Sequence, residues 1–262
     1  MKQVADRRFA LCFRQHRLEY LNQGMADMAQ AQRHAKAQPK GGKSGFYWLL
    51  GAIALVGAGL LVWQMRQGGA VSIPANVEVL ASDTAGFRGY TLGSDSAPVT
   101  VVEFGDYQCP GCATFSLVTM PDVKTRLIDA GRIRWIYRDF PLDEIHPQAR
   151  LSAHAAACAE EQGKYWPVHS LIFQGQRDWV LGNATRVLRG YAEAAGADVD
   201  AYNECMESAR YAGRIEASKQ EGVRLGVRST PSFLIGDRIY ENMNYDTMRK
   251  LVDSVSSAQP AS

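Results

Sequence analysis

Two cysteines three positions apart give the clearest indication of chemistry in this sequence. The run Cys109-Pro-Gly-Cys112 follows a β-branched stretch, 99–104, whose composition is typical of a buried strand. It precedes an apolar-periodic stretch, 115–128, that is typical of a helix. A helix N-terminus presents unpaired N–H groups and a positive dipole end to the first sulfur. Because these favour the thiolate, the reactive form in disulfide exchange, the pattern predicts a redox-active pair.

Cys109 and Cys112 have two other interpretations, a static disulfide and one half of a zinc site. A structural zinc site needs a second pair of Cys or His residues at ligand spacing, and the sequence after residue 64 offers none. Neither a GxGxxG motif nor a P-loop is present. We therefore predict no metal and no organic cofactor, so that the cysteine pair itself is the redox group.

Glu103 is an acidic residue in the middle of the apolar stretch, six positions before Cys109. Burying a carboxylate is costly and raises its pKa. If the strand is half exposed, Glu103 faces solvent. If the strand is buried, Glu103 is an ionisable group close to the cysteines.

A charge-free run, 46–63, indicates a membrane anchor. As a helix it would be about 27 Å long, close to the hydrocarbon thickness of a bilayer. Aromatic residues lie at both of its ends, where membrane interfaces favour them. About 45 residues precede the run, far more than a cleaved signal peptide carries before its apolar region. The pattern predicts an uncleaved, single-pass signal anchor.

Charge asymmetry gives the expected orientation of that anchor. Residues 1–45 carry nine Lys or Arg against three Asp or Glu, whereas the rest of the chain carries an excess of four acids. The positive-inside tendency places the N-terminus in the cytoplasm and residues 64–262 on the periplasmic side of a bacterial inner membrane. The basic excess belongs to the tail, so it does not indicate a nucleic-acid partner. Four of the five cysteines fall in the exported part, where disulfides persist.

The sequence divides into a basic cytoplasmic tail, a transmembrane anchor, a linker and a folded domain. Their predicted bounds are 1–45, 46–63, 64–85 and 86–262. Within the domain the expected order is strand, helix, strand, helical block, hairpin and closing helix, with the helical block at about 147–225. This order predicts an α/β domain with a helical insertion. Pro121 predicts a kink or break in the helix that follows the cysteines.

Four separated motifs lie along the folded domain. They are 89–93 with 97–112, 139–142 with 146–147, 161–166 with 169, and 226–233. Together they resemble the DsbA-like and BdbD-like thiol–disulfide oxidoreductases, in particular their membrane-anchored branch. The resemblance covers about 86–256 and implies a thioredoxin fold with a helical insertion.

The resemblance also implies roles for individual residues. Cys109 is expected to attack or be attacked, and Cys112 to resolve the mixed disulfide. Glu103 is expected to accept a proton near the buried cysteine. Thr230 and Pro231 are expected to form a cis peptide that faces the cysteines and offers backbone to a bound peptide.

Pro110 and Gly111 are the positions expected to tune the pair. Proline suits the first position of a helix, because its missing N–H would be unpaired there anyway. Gly111 contributes no side chain, whereas DsbA-type oxidants often have a histidine at this position. That departure leaves the direction of the reaction open.

Cys158 and Cys205 fall on two predicted helices of the insertion. They are either a second, structural disulfide or two buried free thiols. The histidines of the insertion and its flank are interpreted as packing or capping residues; they are His146, His154 and His169.

The sequence thus predicts an extracytoplasmic oxidoreductase that introduces disulfides into exported proteins. Its expected partners are protein thiols or disulfides and a membrane redox protein, either a quinone-linked reoxidant or a reductant. An isomerase or reductase with the same residues is one alternative. A tethered peptide-binding or chaperone module with a vestigial CxxC is an alternative of another class.

Overall fold

The computed structural model describes the backbone of 43–67 and 71–258 and the side chains of 46–60 and 71–258. Residues 1–42 of the predicted cytoplasmic tail therefore lie outside the described residues. Helix α1, Lys43–Gln67, contains the charge-free run, and its side chains at 46–60 are all exposed. Among the residues that the structure describes, no helix combines the length and the apolar character needed to cross a membrane.

A five-stranded sheet forms the centre of the domain. The strands are β1 Tyr90–Leu92, β2 Val99–Gly105, β3 Ile133–Asp139, β4 Ser232–Ile235 and β5 Arg238–Glu241. Their spatial order is β1-β3-β2-β4-β5, and β2 and β3 are parallel while the other neighbours are antiparallel. The predicted strand 99–104 is thus the central one. Its β-branched residues fit a strand that is covered on both faces.

The chain after the cysteines is helical as far as Ile128. After the short helix α2, Ala81–Thr84, come α3, Pro110–Thr114, and α4, Met120–Val123. A π-helical turn follows each of α3 and α4, at Phe115–Thr119 and Lys124–Ile128. Of the two outcomes predicted at Pro121, a kink or a break, the break does not occur, because the helical chain continues through this residue. Proline occupies the start of α4, and the wider π turn before it accommodates the missing N–H.

Six helices are inserted between β3 and β4, which confirms the predicted helical block. They are α5 Ala149–Glu160, α6 Tyr165–Gln174, α7 Gln176–Leu181, α8 Ala184–Ala194, α9 Val199–Glu207 and α10 Ala212–Arg224. The sequence did not predict α7. Alanines cover the buried face of α5 and allow neighbouring helices to approach closely. Helix α11, Tyr245–Ala258, closes the domain after the predicted hairpin.

Candidate active site

The two cysteines of the CPGC run lie at the start of α3. Cys109 is the N-cap residue, with φ −71° and ψ 122°, and Cys112 lies one turn into the helix. Both are free thiols. Cys112 is fully buried, while Cys109 is 8% exposed. A substrate sulfur can therefore reach Cys109 and cannot reach Cys112.

Several donors converge on the sulfur of Cys109 and lower its pKa to about 5. The strongest contribution is a hydrogen bond from Cys112, and burial acts in the opposite direction. The backbone N–H groups of Cys112 and Gly111 lower the pKa further. The two N–H groups belong to the first turn of the helix, as the sequence pattern predicts. Cys109 is therefore a thiolate at neutral pH.

The pKa of Cys112 is shifted in the opposite direction, upward. Its pKa is raised by burial, by its hydrogen bond to Cys109 and by the negative charges of Cys109 and Glu103. The backbone N–H of Asp106 donates to its sulfur at 3.4 Å. The pair thus consists of an ionised, reachable thiolate and a protonated, enclosed thiol.

Glu103 is buried in β2 with 4% exposure, which excludes the interpretation that it faces solvent. It lies in register with Tyr137 of β3 and Phe233 of β4. Burial raises its pKa to about 8. Because its charge also raises the pKa of Cys112, the two groups interact. A carboxyl group with this pKa can exchange a proton near neutral pH.

The Thr230–Pro231 peptide bond is cis and faces the cysteines. The sulfur of Cys109 lies 3.2 Å from the carbonyl oxygen of Thr230. A Cβ atom at Gly111 would lie 3.4 Å from Cδ of Pro231 and 3.5 Å from Sγ of Cys109. Gly111 and Pro110 are exposed, so the surface between the helix and the proline loop is open.

Asp106 belongs to the site although the sequence did not single it out. It is 2% exposed and accepts three hydrogen bonds, all within 2.8 Å. The donors are the N–H of Gln108, the N–H of Leu142 and Nδ1 of His146. His146 is therefore bound to a buried acid and does not act as a cap. The available sequence signal was an acidic residue directly after a buried strand.

Gln176 is a second residue that sequence reasoning missed. From α7 its Nε2 donates to the carbonyl oxygen of Tyr107 at 2.7 Å and to that of Cys109 at 3.0 Å. A polar side chain in a segment without clear periodicity gave no signal of this contact. One amide group thus ties the helical insertion to the loop that carries the reactive cysteine.

Aromatic and polar side chains fill the interior between the sheet and the insertion. The hydroxyl of Tyr107 lies 2.9 Å from that of Tyr165 and 2.8 Å from Nδ1 of His169. Burial lowers the pKa of His169 to about 3, so the ring is neutral and acts as a packing residue, as predicted. Burial raises the pKa of Asp139, at the end of β3, to about 7.

The second cysteine pair forms a disulfide between α5 and α9. Cys158 and Cys205 are buried, with Cα atoms 5.7 Å apart. His154 lies against this disulfide, with Nδ1 3.4 Å from Sγ of Cys158. Its Nε2 accepts from the N–H of Tyr211 at 3.1 Å, and burial lowers its pKa to about 4. The proton of the neutral ring is therefore on Nδ1, which makes His154 a donor to sulfur and not a metal ligand.

Comparison with known protein families shows which family this domain belongs to. Residues 88–254 match the model of the family described as thioredoxin. The chain belongs to the thioredoxin family. Thioredoxin-family membership accounts for the central strand, the CxxC helix and the cis-proline loop, and confirms the predicted fold with its helical insertion.

Two kinds of protein are among the relatives of this thioredoxin-family chain. It is 25% identical over 165 residues to disulfide bond formation protein D of Bacillus subtilis, covering 62% of this chain and 74% of the relative. It is 32% identical over 197 residues to the Na(+)/H(+) antiporter NhaA 3 of Salinispora tropica, covering 71% of this chain. The chain spans only 29% of that antiporter's length. The family and the Bacillus relative both support the predicted enzyme class, thiol–disulfide oxidoreductase.

A solved structure shares the fold. The crystal structure of oxidised BdbD from Bacillus subtilis matches with a TM-score of 0.55 and 23% sequence identity. The match covers 64% of this chain and 92% of BdbD. The helical insertion is thus part of a fold that a solved protein also has.

Proposed function

We propose that this protein is a dithiol oxidase that introduces disulfides into exported proteins. The observation that carries the proposal is the set of donors around the Cys109 sulfur, which lowers its pKa to about 5. Stabilising the thiolate stabilises the reduced enzyme, and a stabilised reduced form makes the disulfide a stronger oxidant. The name of the Bacillus relative, disulfide bond formation protein D, supports the same direction.

The catalytic cycle starts from the Cys109–Cys112 disulfide. A substrate thiolate attacks Sγ of Cys109, the Cys109–Cys112 bond breaks, and Cys112 leaves with the electron pair. Glu103, with its pKa of about 8, supplies the proton that Cys112 takes up. A second substrate thiolate attacks the substrate sulfur of the mixed disulfide and Cys109 leaves. The substrate has gained a disulfide and the enzyme is a dithiol.

Substrate peptides are proposed to bind along the Thr230–Pro231 loop. The carbonyl of Thr230 lies 3.2 Å from the Cys109 sulfur, so a peptide paired with this backbone presents its own sulfur to Cys109. Pro110 and Gly111 leave the opposite side of the groove without a large side chain. The cycle needs no cofactor beyond the cysteine pair, and a membrane protein linked to quinone is proposed as the reoxidant.

Membrane attachment through 46–63 is the second part of the proposal. It is supported by the charge-free run, the basic tail and the exposure of the described side chains in α1. The full chain should stay with carbonate-washed membranes, and its domain should be cleaved by protease added outside spheroplasts. Recovery in the soluble fraction would contradict the attachment.

Thiol trapping in cells tests the direction of the reaction. We expect Cys109 and Cys112 to be mostly oxidised at steady state, with a Cys109→Ser chain as the labelling control. Mostly reduced cysteines would instead indicate an isomerase or reductase. If Cys109→Ser leaves the protein's function in cells intact, the chemistry is vestigial and a peptide-binding module is the correct account.

A further inference from the structure

The loop before the cysteines has a fixed hydrogen-bond donor aimed at the buried sulfur. The N–H of Asp106 lies 3.4 Å from Sγ of Cys112, and the fully buried Cys112 cannot be reached by water from outside. When Cys112 leaves as a thiolate, its new negative charge appears where this N–H points. A donor held in place before charge develops stabilises that charge without reorganisation.

The Asp106 side chain holds this N–H in position. Its carboxylate accepts from Gln108 on one oxygen and from Leu142 and His146 on the other. The first contact closes the turn that leads to Cys109, and the other two join it to the loop after β3. Asp106 is 2% exposed, so these protein donors satisfy a charge that water does not reach.

His146 is the one side-chain donor of the three. Its Nδ1 lies 2.8 Å from the Asp106 carboxylate, and its side chain is 14% exposed. The loop that carries it is anchored elsewhere at Asp143, which accepts from Nζ of Lys219 at 2.6 Å and from Arg150 at 2.7 and 2.9 Å. Loss of the His146 or the Lys219 contact removes one anchor of the same loop, but of these two residues only His146 touches Asp106, whose N–H faces Cys112.

We infer that the backbone N–H of Asp106 stabilises the leaving thiolate of Cys112 in disulfide exchange, and that His146 is a positioning residue for it. In the step concerned, the Cys109–Cys112 bond breaks as the bond between the attacking sulfur and Cys109 forms. The electron pair goes to Cys112, and the N–H of Asp106 shares its proton with that sulfur without transferring it. The inference rests on exchange at Cys109 and does not depend on the direction of the proposed function.

His146→Leu tests the inference in the full chain, with reduced glutathione as the attacking thiol. We expect the rate of disulfide opening and the rate of closure both to fall about tenfold, or about 1.4 kcal/mol in each barrier. The equilibrium with glutathione should change less than about twofold, because the donor acts on the transition state of both directions. His146→Asn places an amide nitrogen near the position of Nδ1 and should restore the rates to within about threefold.

Lys219→Met is the matched control, since it loosens the same loop without touching Asp106. Its exchange rates should equal those of the wild type, while its thermal stability falls. If His146→Leu does not fold, His146→Gln replaces it, because its amide reaches the Nε2 position and leaves Nδ1 without a substitute. Unchanged rates in a folded His146→Leu or His146→Gln chain, or equal slowing in Lys219→Met, would overturn the inference. A wild-type chain that does not exchange with glutathione would instead refute the proposed function.

Discussion

Cys109 and Cys112 lie three positions apart at a helix end, whereas Cys158 and Cys205 lie 47 positions apart on two packed helices. The first pair has a reachable sulfur among N–H donors, and its two thiols have pKa values shifted in opposite directions. The second pair is enclosed among alanines and aromatic rings. The difference shows that exposure and charge stabilisation, more than the sulfur itself, decide whether a disulfide exchanges or holds a fold together.

Removing each pair gives the largest contrast. Cys109→Ser should abolish oxidation of a reduced two-cysteine peptide, by at least about three orders of magnitude, because the attacked sulfur is gone. The double variant Cys158→Ala/Cys205→Ala should keep that activity within about threefold at 25 °C. Oxidation is followed by mass spectrometry of the peptide. Equal losses in both variants would remove the functional distinction between the pairs.

The pH dependence of alkylation tests the electrostatic side of the comparison. Cys109 is ionised above its pKa of about 5, so its reaction with iodoacetamide should be half-maximal near pH 5 and level above about pH 6. An ordinary thiol is half ionised near pH 8.5. Cys112→Ala removes the strongest donor and should move the midpoint upward by more than one pH unit. A wild-type midpoint above pH 7 would contradict the site geometry.

Glu103 lies beside the exchanging pair, and its burial makes stability depend on pH. Its folded-state pKa of about 8 exceeds the usual value for an unfolded chain, so the folded protein holds the extra proton between pH 4.5 and 8. The associated stability is fully present below pH 4.5 and is lost as pH rises through 8. The loss is on the order of 5 kcal/mol.

Glu103→Gln should therefore flatten the pH dependence of unfolding in this window. Urea unfolding of the oxidised protein at several pH values measures it, because the cysteines do not titrate when oxidised. Asp139 also has a raised pKa and contributes to the pH dependence in the same direction. Subtracting the unfolding free energy of the variant from that of the wild type at each pH leaves the contribution of Glu103 alone. If the free energy of unfolding depends on pH in the same way in both proteins, the prediction is wrong and Glu103 lies in a hydrated environment.

The second disulfide should contribute stability and little else. Closing a loop between residues 47 positions apart typically stabilises a protein by about 2–4 kcal/mol. Cys158→Ala/Cys205→Ala should lower the free energy of unfolding by this amount, measured in urea with Cys109 and Cys112 oxidised. A loss below about 0.5 kcal/mol would show that helix packing alone holds α5 against α9.

The smallest expected effect concerns Gly111. Gly111→His places a side chain in contact with Pro231 and Cys109, where an imidazolium group further stabilises the thiolate. The reduction potential should rise by a few tens of millivolts, since a tenfold change in equilibrium corresponds to about 30 mV. Gly190→His, at a position in α8 with open space around it, is the matched control and should leave the potential unchanged.

The parts of the fold with a local pattern could be predicted from the sequence. The β-branched stretch at 99–104, the helix after the cysteines and the hairpin each follow a periodicity that their own residues determine. Pro121 predicts a kink or a break because proline ordinarily disturbs a helix, whereas the helical chain continues through it. The π turns that accommodate it leave no signature in residue types.

The supporting contacts of the site could not be predicted in the same way. Asp106 meets Leu142 across 36 positions, and Gln176 meets Tyr107 across 69. Such contacts depend on how elements pack in three dimensions, and neither propensity nor periodicity encodes them. The pairing of Cys158 with Cys205 stayed open for the same reason, whereas Cys109 and Cys112 could be recognised from their spacing.

The contact of Gln176 limits how this protein can be re-engineered. A chimera that replaced 149–224 with a short loop would keep both exchanging cysteines, Glu103 and the cis-proline. It would lose the amide that bridges the carbonyls of Tyr107 and Cys109, leaving two acceptors of the reactive loop without their partner. The helical insertion therefore cannot be exchanged freely for another segment. A replacement must supply a hydrogen-bond donor to the carbonyl oxygens of Tyr107 and Cys109.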